Sequence, residues 1–241
     1  MAKDNNLKDF IADIADAIRE KKGTTEKINP QDFSDEIRWI ESGGDGFNAK
    51  AILNKEDGFG IKYITELTIN DGVTTLGDGA CEGMKNLKKI NIPNSVTIIS
   101  DRLFYGCLYL EDAVINNIQQ LTNYMYYNCN SLKNFKIPAT ATSIPDYCFS
   151  NCRSISSFVL PSGIVRIGTA AFNGCRASLF DFRAVLQVPT LSNTNAYDNM
   201  PVNYKIVVPD ALYDDWIVAT NWTTYASRIV KASEFVEENN E

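Results

Sequence analysis

The chain of 241 residues carries a formal net charge of −7 and contains no histidine. A missing imidazole removes Ser-His-Asp and Cys-His nucleophile pairs and every His-ligated metal site. An acidic balance without a basic stripe argues against nucleic acid as a partner, and no apolar run of ~20 residues offers a membrane-inserting helix.

At the front, Leu7, Phe10, Ile11, Ile14 and Ile18 recur at helical spacing and predict an amphipathic helix over residues 5–22. Arg19, Lys21 and Lys22 followed by Gly23 suit its end, cations at the negative pole and then a glycine cap. Asn29 as N-cap with Pro30 in the first turn opens a second helix running to about residue 41, with Phe33, Ile37 and Ile40 on its stripe. Two short helices with one apolar stripe each make a hairpin over residues 1–42 that needs a partner surface, so these eight residues are candidate docking residues. The stretch Ser42-Gly43-Gly44-Asp45-Gly46 reads as a flexible linker. Residues 43–62 hold that linker and a front cap, with Ala51-Ile52-Leu53 readable as a strand. Met1-Ala2-Lys3-Asp4-Asn5 has no hydrophobic signal core, so export by the general route is not expected.

Behind the linker a block of about 23 residues recurs at least five times, starting at Ile64, Leu87, Leu110, Leu132 and Ile155. Apolar columns line up: Leu67, Ile90, Ala113, Phe135, Phe158; then Ile69, Ile92, Ile115, Ile137, Leu160; then Leu76, Ile99, Leu121, Ile144, Ile167. Cys81, Phe104, Tyr126, Phe149 and Phe172 form an aromatic column, and Met84, Cys107, Cys129, Cys152 and Cys175 close the block. Such a period means a stack of units, each too small to bury its apolar face alone.

The spacing also shapes one unit. Leu67-Thr68-Ile69 and Ile90-Asn91-Ile92 alternate with period two and predict a short strand. The strand should stop before Pro93, Pro138 or Pro161, since proline has no N–H to donate. Val96 with Ile99, and Ile164 with Ile167, mark a second short segment. Leu103-Phe104-Tyr105-Gly106-Cys107 is too short for an independent helix and predicts a turn that carries the chain back. A sixth, degraded copy is expected to place Leu179, Phe182, Ala184, Val188 and Leu191 in register after a one-residue insertion near Ala177. Tyr204 to Pro209 reads as a last strand. Asp210 is the expected cap of a helix over residues 211–220, with Leu212, Trp216 and Ile217 facing the stack. Trp222, Tyr225, Ile229 and Val230 add bulk to this closing segment, residues 210–241, which ends in an acidic tail.

The cysteines in one column predict a row of small buried thiols. A line along an axis does not converge as metal ligands must, and no CxxC spacing is present. No catalytic group, cofactor site or metal site is read from the chain, and it is expected not to be an enzyme. Asn221-Trp222-Thr223 fits a glycosylation pattern but is expected simply to be part of the cap. What remains is surface. Tyr105 and Tyr127 share one non-core column, Tyr124 and Tyr147 another, and Tyr109 lies close by in sequence. These rings either cover the turns of neighbouring coils or form a binding surface, for which tyrosine is well suited.

The copies Leu87 to Ile99 and Ile155 to Cys175 resemble the BspA-like leucine-rich repeat family over roughly residues 63–200, within a solenoid expected over residues 63–209. The copy from Leu110 departs from the pattern, lacking the proline and one residue. The resemblance implies a repeat solenoid, mainly β with short helical turns, that binds protein or glycan at surfaces and supplies no catalytic residues. Val208 to Trp216 and Thr220 to Ala226 resemble the family's C-terminal cap. The run Ile14 to Thr25, with Ile28 to Phe33, resembles a short helical module at the front of phage tail and virion proteins. That resemblance points to a bacteriophage virion protein, a tail or head fibre or receptor-binding protein. Its helices would dock on other virion proteins, its solenoid would meet a host protein or glycan, and a homo-oligomer would suit repeated display. The alternative is a bacterial cell-surface adhesin or interaction module.

Overall fold

The structure, a computed structural model, describes residues 47–51, 64–69 and 71–236. The hairpin expected over residues 1–42, with its candidate docking residues from Leu7 to Ile40, lies outside them. The described chain falls into two compact units. One takes in the residues up to Ile118 together with Tyr124–Lys136; the other takes in Gln119–Asn123 and everything from Ile137 onward. Among the described residues the β-solenoid turns number about seven.

In the first unit, β1 (Phe47–Ala51) runs antiparallel to β2 (Ile64–Ile69), with a bulge between Lys50 and Ala51. Of the stretch Ala51-Ile52-Leu53, readable as a strand or a first cap, only Ala51 lies among the described residues. Strand β2 then pairs in parallel with β4 (Lys89–Asn91), Leu67 beside Ile90, and single bridges continue the pairing from Lys89 to Asp112 and from Asp112 to Asn134. These partners are 23, 23 and 22 residues apart, the same steps as the sequence repeat. Alternation explains the inner columns: Lys89 and Asn91 face out while Ile90 is buried. Strands end at Asn91 and, in the second unit, Val159, two residues ahead of Pro93 and Pro161. The Val96–Ile99 segment is a second narrow sheet, β3 (Thr75–Leu76) parallel to β5 (Ile98–Ile99).

The turns make a third row of inter-coil hydrogen bonds. The N–H groups of Gly79, Cys81 and Gly83 donate to the carbonyls of Asp101, Leu103 and Tyr105, and those of Phe104 and Gly106 donate to Met125 and Tyr127. Leu67, Leu87, Leu110, Leu132, Phe104 and Tyr126 fill the interior. Phe104 stacks on Tyr126 at 5.5 Å between centroids. Ala113 leaves the aliphatic column thin, and Tyr126 compensates by donating its hydroxyl to the Ala113 carbonyl at 3.2 Å.

In the second unit, β7 (Ser157–Val159), β9 (Leu179–Asp181), β11 (Lys205–Val208) and β12 (Ile229–Lys231) form one parallel sheet. A second parallel sheet is made of β6 (Ser143–Ile144), β8 (Arg166–Ile167) and β10 (Thr190–Leu191). Phe149 stacks on Phe172, and Phe158 on Phe180 at 5.2 Å.

Here the expected register of the degraded copy needs correction. Phe158 pairs with Phe180, so the inner residues are Ala177, Phe180, Phe182 and Val185, not a set starting at Leu179, while Ala184 is exposed. The insertion falls later, between Phe182 and Leu191; Leu191 then does sit beside Ile167. The closing segment is a 3-10 turn (Asp210–Leu212), helix α1 (Tyr213–Val218) and a 3-10 stretch (Trp222–Arg228). Helix α1 is shorter than expected, and Asp210 does not cap it: Pro209 precedes the 3-10 turn, and the Asp210 carboxylate accepts from the Ser233 N–H instead. Trp216 and Trp222 are fully buried, packed on Phe182 and on each other at 5.3 Å.

Candidate functional site

Five of the turns open on a residue with left-handed backbone; the turn that ends at Asn199 does not. In the first unit these are Gly79, Arg102 and Tyr124, at φ of 59°, 59° and 55°; in the second, Tyr147 and Ala170, at 56° and 49°. Three residues on, an N–H closes the turn: Glu82 to Gly79, Tyr105 to Arg102, Tyr127 to Tyr124. The next residue is left-handed too, and there the chain uses Gly83, Gly106, Asn128, Asn151, Gly174 and Asn199, types that tolerate it. A side chain such as tyrosine or arginine at the first position costs about 1–2 kcal/mol. Gly79 is the low-strain choice in that column, so Arg102 and Tyr124 sit there against the backbone's preference.

Three of the five candidate tyrosines come together on this strained surface. Tyr105 and Tyr127 stack at 4.7 Å with planes 14° apart. Tyr124 meets Tyr127 edge-on at 5.9 Å and Tyr105 at 6.3 Å. All three are half-buried. Tyr109 is 54% exposed on the same unit. Tyr147 belongs to the second unit, its N–H donating to the Thr169 carbonyl at 2.9 Å.

Charged neighbours that sequence reading did not single out complete the surface. Arg102 donates Nε to Asp78 Oδ1 at 3.3 Å and Nη2 to Asp78 Oδ2, a two-pronged pair near half exposure. That hydrogen-bonded carboxylate, helped by Glu82 and Asp101, pushes the guanidinium's pKa up. The Glu82 carboxylate lies over Gly79, since a Cβ built there would come within 2.7 Å of Glu82 Oε2. The available signal was the register: Glu82 shares a column with Tyr105 and Tyr127, and Arg102 shares one with Tyr124.

All six cysteines are free and buried, the four of the predicted column (Cys107, Cys129, Cys152 and Cys175) among them. Cys107, Cys129 and Cys175 donate their thiols to the carbonyls of Cys81, Phe104 and Phe149 at 3.0, 3.2 and 2.9 Å. Burial raises their pKa values, Cys81 and Cys175 to about 12. A thiol held protonated is neither a nucleophile nor a metal ligand. Among the described residues, no three or more Cys, Asp or Glu side chains are grouped to hold a metal ion.

A family model described as the BspA type leucine-rich repeat region matches residues 55–178 in six copies, just over half of the chain. The chain belongs to the BspA-type leucine-rich repeat family. This BspA-type protein is similar to a solved leucine-rich repeat protein from Bacteroides ovatus, with 24% identity and a TM-score of 0.55. That alignment covers 70% of this chain and 42% of the other, so the chain spans less than half the length of that relative. A leucine-rich repeat protein from T. pallidum aligns at 20% identity over 73% of this chain and 94% of its own, with a TM-score of 0.45. A leucine rich cell surface protein from Faecalibacterium prausnitzii aligns at 17% over 71% and 60%, with a TM-score of 0.39. No curated protein matches the chain. The family match begins at residue 55, behind the front module, so the expected likeness to phage proteins and the virion role gain no support from it.

Proposed function

We propose that the BspA-type chain is a non-enzymatic interaction module of a bacterial surface, which holds a partner on the tyrosine-bearing turns of its first unit. One observation carries the reading: Tyr124 occupies a left-handed position at φ 55°, where the first coil has Gly79, and there it joins the stacked Tyr105 and Tyr127. Arg102, Tyr147 and Ala170 hold the same left-handed position on other coils, so what sets this place apart is the three rings gathered on one surface. Tyrosine also provides large contact area for little lost side-chain freedom. The family resemblance, with its surface-binding habit, fits this use.

Two measurements test the proposal. Antibody raised against the chain should label intact cells of the source bacterium, and protease added outside those cells should remove the signal. The purified chain should adhere to its target surface, and the double variant Tyr105→Ser/Tyr127→Ser should lose adhesion while keeping its melting temperature within a few degrees. Undiminished adhesion by the double variant would remove the tyrosine surface from the proposal.

A further inference from the structure

The three tyrosines belong to a small grid of aligned turn positions. Backbone bonds from Gly79 to Asp101, Gly83 to Tyr105, Phe104 to Met125 and Gly106 to Tyr127 set three turns side by side, about 4.8 Å apart. One column runs Gly79, Arg102, Tyr124 and the next runs Glu82, Tyr105, Tyr127. Asp78 and Asp101 precede Gly79 and Arg102. Three carboxylates therefore stand against one guanidinium, and Arg102 is already committed to Asp78. Glu82 makes no ion pair among the described residues, and it heads the column in which the Tyr105 and Tyr127 rings stack. The Glu82 carboxylate lies over Gly79 and acts electrostatically on Arg102, so only its column places it next to the stacked rings; ring quadrupoles and a carboxylate on one surface both attract a cation. The rest of the chain is negative as well, at −7 overall, which draws cations toward the molecule.

Resting on the interaction reading above, we propose that the surface formed by Glu82, Tyr105, Tyr124 and Tyr127 is a docking site for a basic segment of a protein partner, whose lysine or arginine side chain lies on the tyrosine faces within reach of Glu82.

The test uses the full chain and a fluorescent peptide of alternating lysine and glycine, with the lysine-acetylated peptide beside it. Acetylation removes the charge and keeps the length. The charged peptide should bind at low salt and weaken as salt rises, and the acetylated one should not bind. Glu82→Gln, and separately Tyr105→Leu, which keeps bulk but loses the ring face, should each weaken binding by about tenfold. Asp214→Asn removes one negative charge from the exposed start of α1 and should leave affinity unchanged. Melting temperatures of all variants control for folding. Equal affinity for both peptides, no effect of Glu82→Gln, or an equal loss with Asp214→Asn would overturn the proposal, the last because bulk charge would then explain the binding. If adhesion is lost in Tyr105→Ser/Tyr127→Ser while the peptide arms stay flat, only the cationic partner falls. If adhesion survives that double variant, the interaction reading falls with it.

Discussion

At the scale of single residues, backbone and space make separable demands. Gly106 has φ of 73° and open space where a Cβ would go, so Gly106→Ala meets only the left-handed penalty, about 1 kcal/mol. Gly168 has an ordinary φ, but a Cβ there would lie 2.6 Å from both Asp146 N and Pro145 C, backbone atoms of the neighbouring coil. Those atoms cannot swing aside, so Gly168→Ala should cost about 3 kcal/mol. Chemical denaturation of the two variants should separate them clearly; equal midpoints would mean that the coils are looser than described. The thiols give a pH prediction. Burial raises Cys81 and Cys175 from 9.0 to about 12, so between those values the folded chain holds protons that the unfolded chain has lost. Their contribution to stability is complete below about pH 9 and drains away as pH climbs toward 12. The urea midpoint should therefore fall between about pH 7 and about pH 10, and fall less in Cys81→Ala, which removes one such group. A parallel fall in that variant would assign the effect to other groups, such as the buried Tyr197.

At the scale of elements, what was legible depended on how many neighbours enforced a position. Ile90 and Phe158 are inner strand residues facing equivalent residues on adjoining coils, and the pattern fixed them correctly. The copy near residue 180 was misread because Leu179 and Phe182 match the apolar pattern as well as Ala177 and Phe180 do. Only the pairing with β7 decides between the two registers. The tyrosine columns were legible for the same reason as the core columns. The strain at Tyr124 was not, since no sequence period reports φ; Gly79 at the equivalent place was the only hint. Arg102 and Glu82 were missed because a charge on a turn ordinarily means only solvation. The two tryptophans of the closing segment differ in a way only the structure shows. Trp222 donates Nε1–H to the Pro189 carbonyl at 2.7 Å, while the buried Trp216 Nε1 has no acceptor. Trp222→Phe should therefore cost about 1–3 kcal/mol by stranding a buried carbonyl. Trp216→Phe should cost less, because it removes an unsatisfied donor along with the lost packing. Thermal melts of the pair check the order, and a larger loss at Trp216 would contradict it.

At the scale of the whole chain, stability in a repeat protein is a sum of intrinsic and nearest-neighbour contributions, so the end of a stack carries a particular burden. In the second unit β11 lies between β9 and β12, and Ile206 and Val207 are fully buried. Helix α1 and the stretch from Trp222 supply the remaining cover: Trp216 and Trp222 against Phe182, and Tyr225 against Tyr197 at 5.1 Å. Truncating either tryptophan alone should cost about 3–5 kcal/mol, against a total stability of about 5–15 kcal/mol for a folded domain. Ending the chain after Pro209 removes both at once, strips the β12 edge partner, and leaves β11 as a bare apolar strand edge, which invites pairing between molecules. The truncated chain should bind a hydrophobic dye, lose its cooperative melt and elute as aggregates by size exclusion, while the full chain does none of these. A truncated chain that stays monomeric with an unchanged melt would show that the closing segment contributes little, and that the coils of the second unit hold together on their stacked phenylalanines alone.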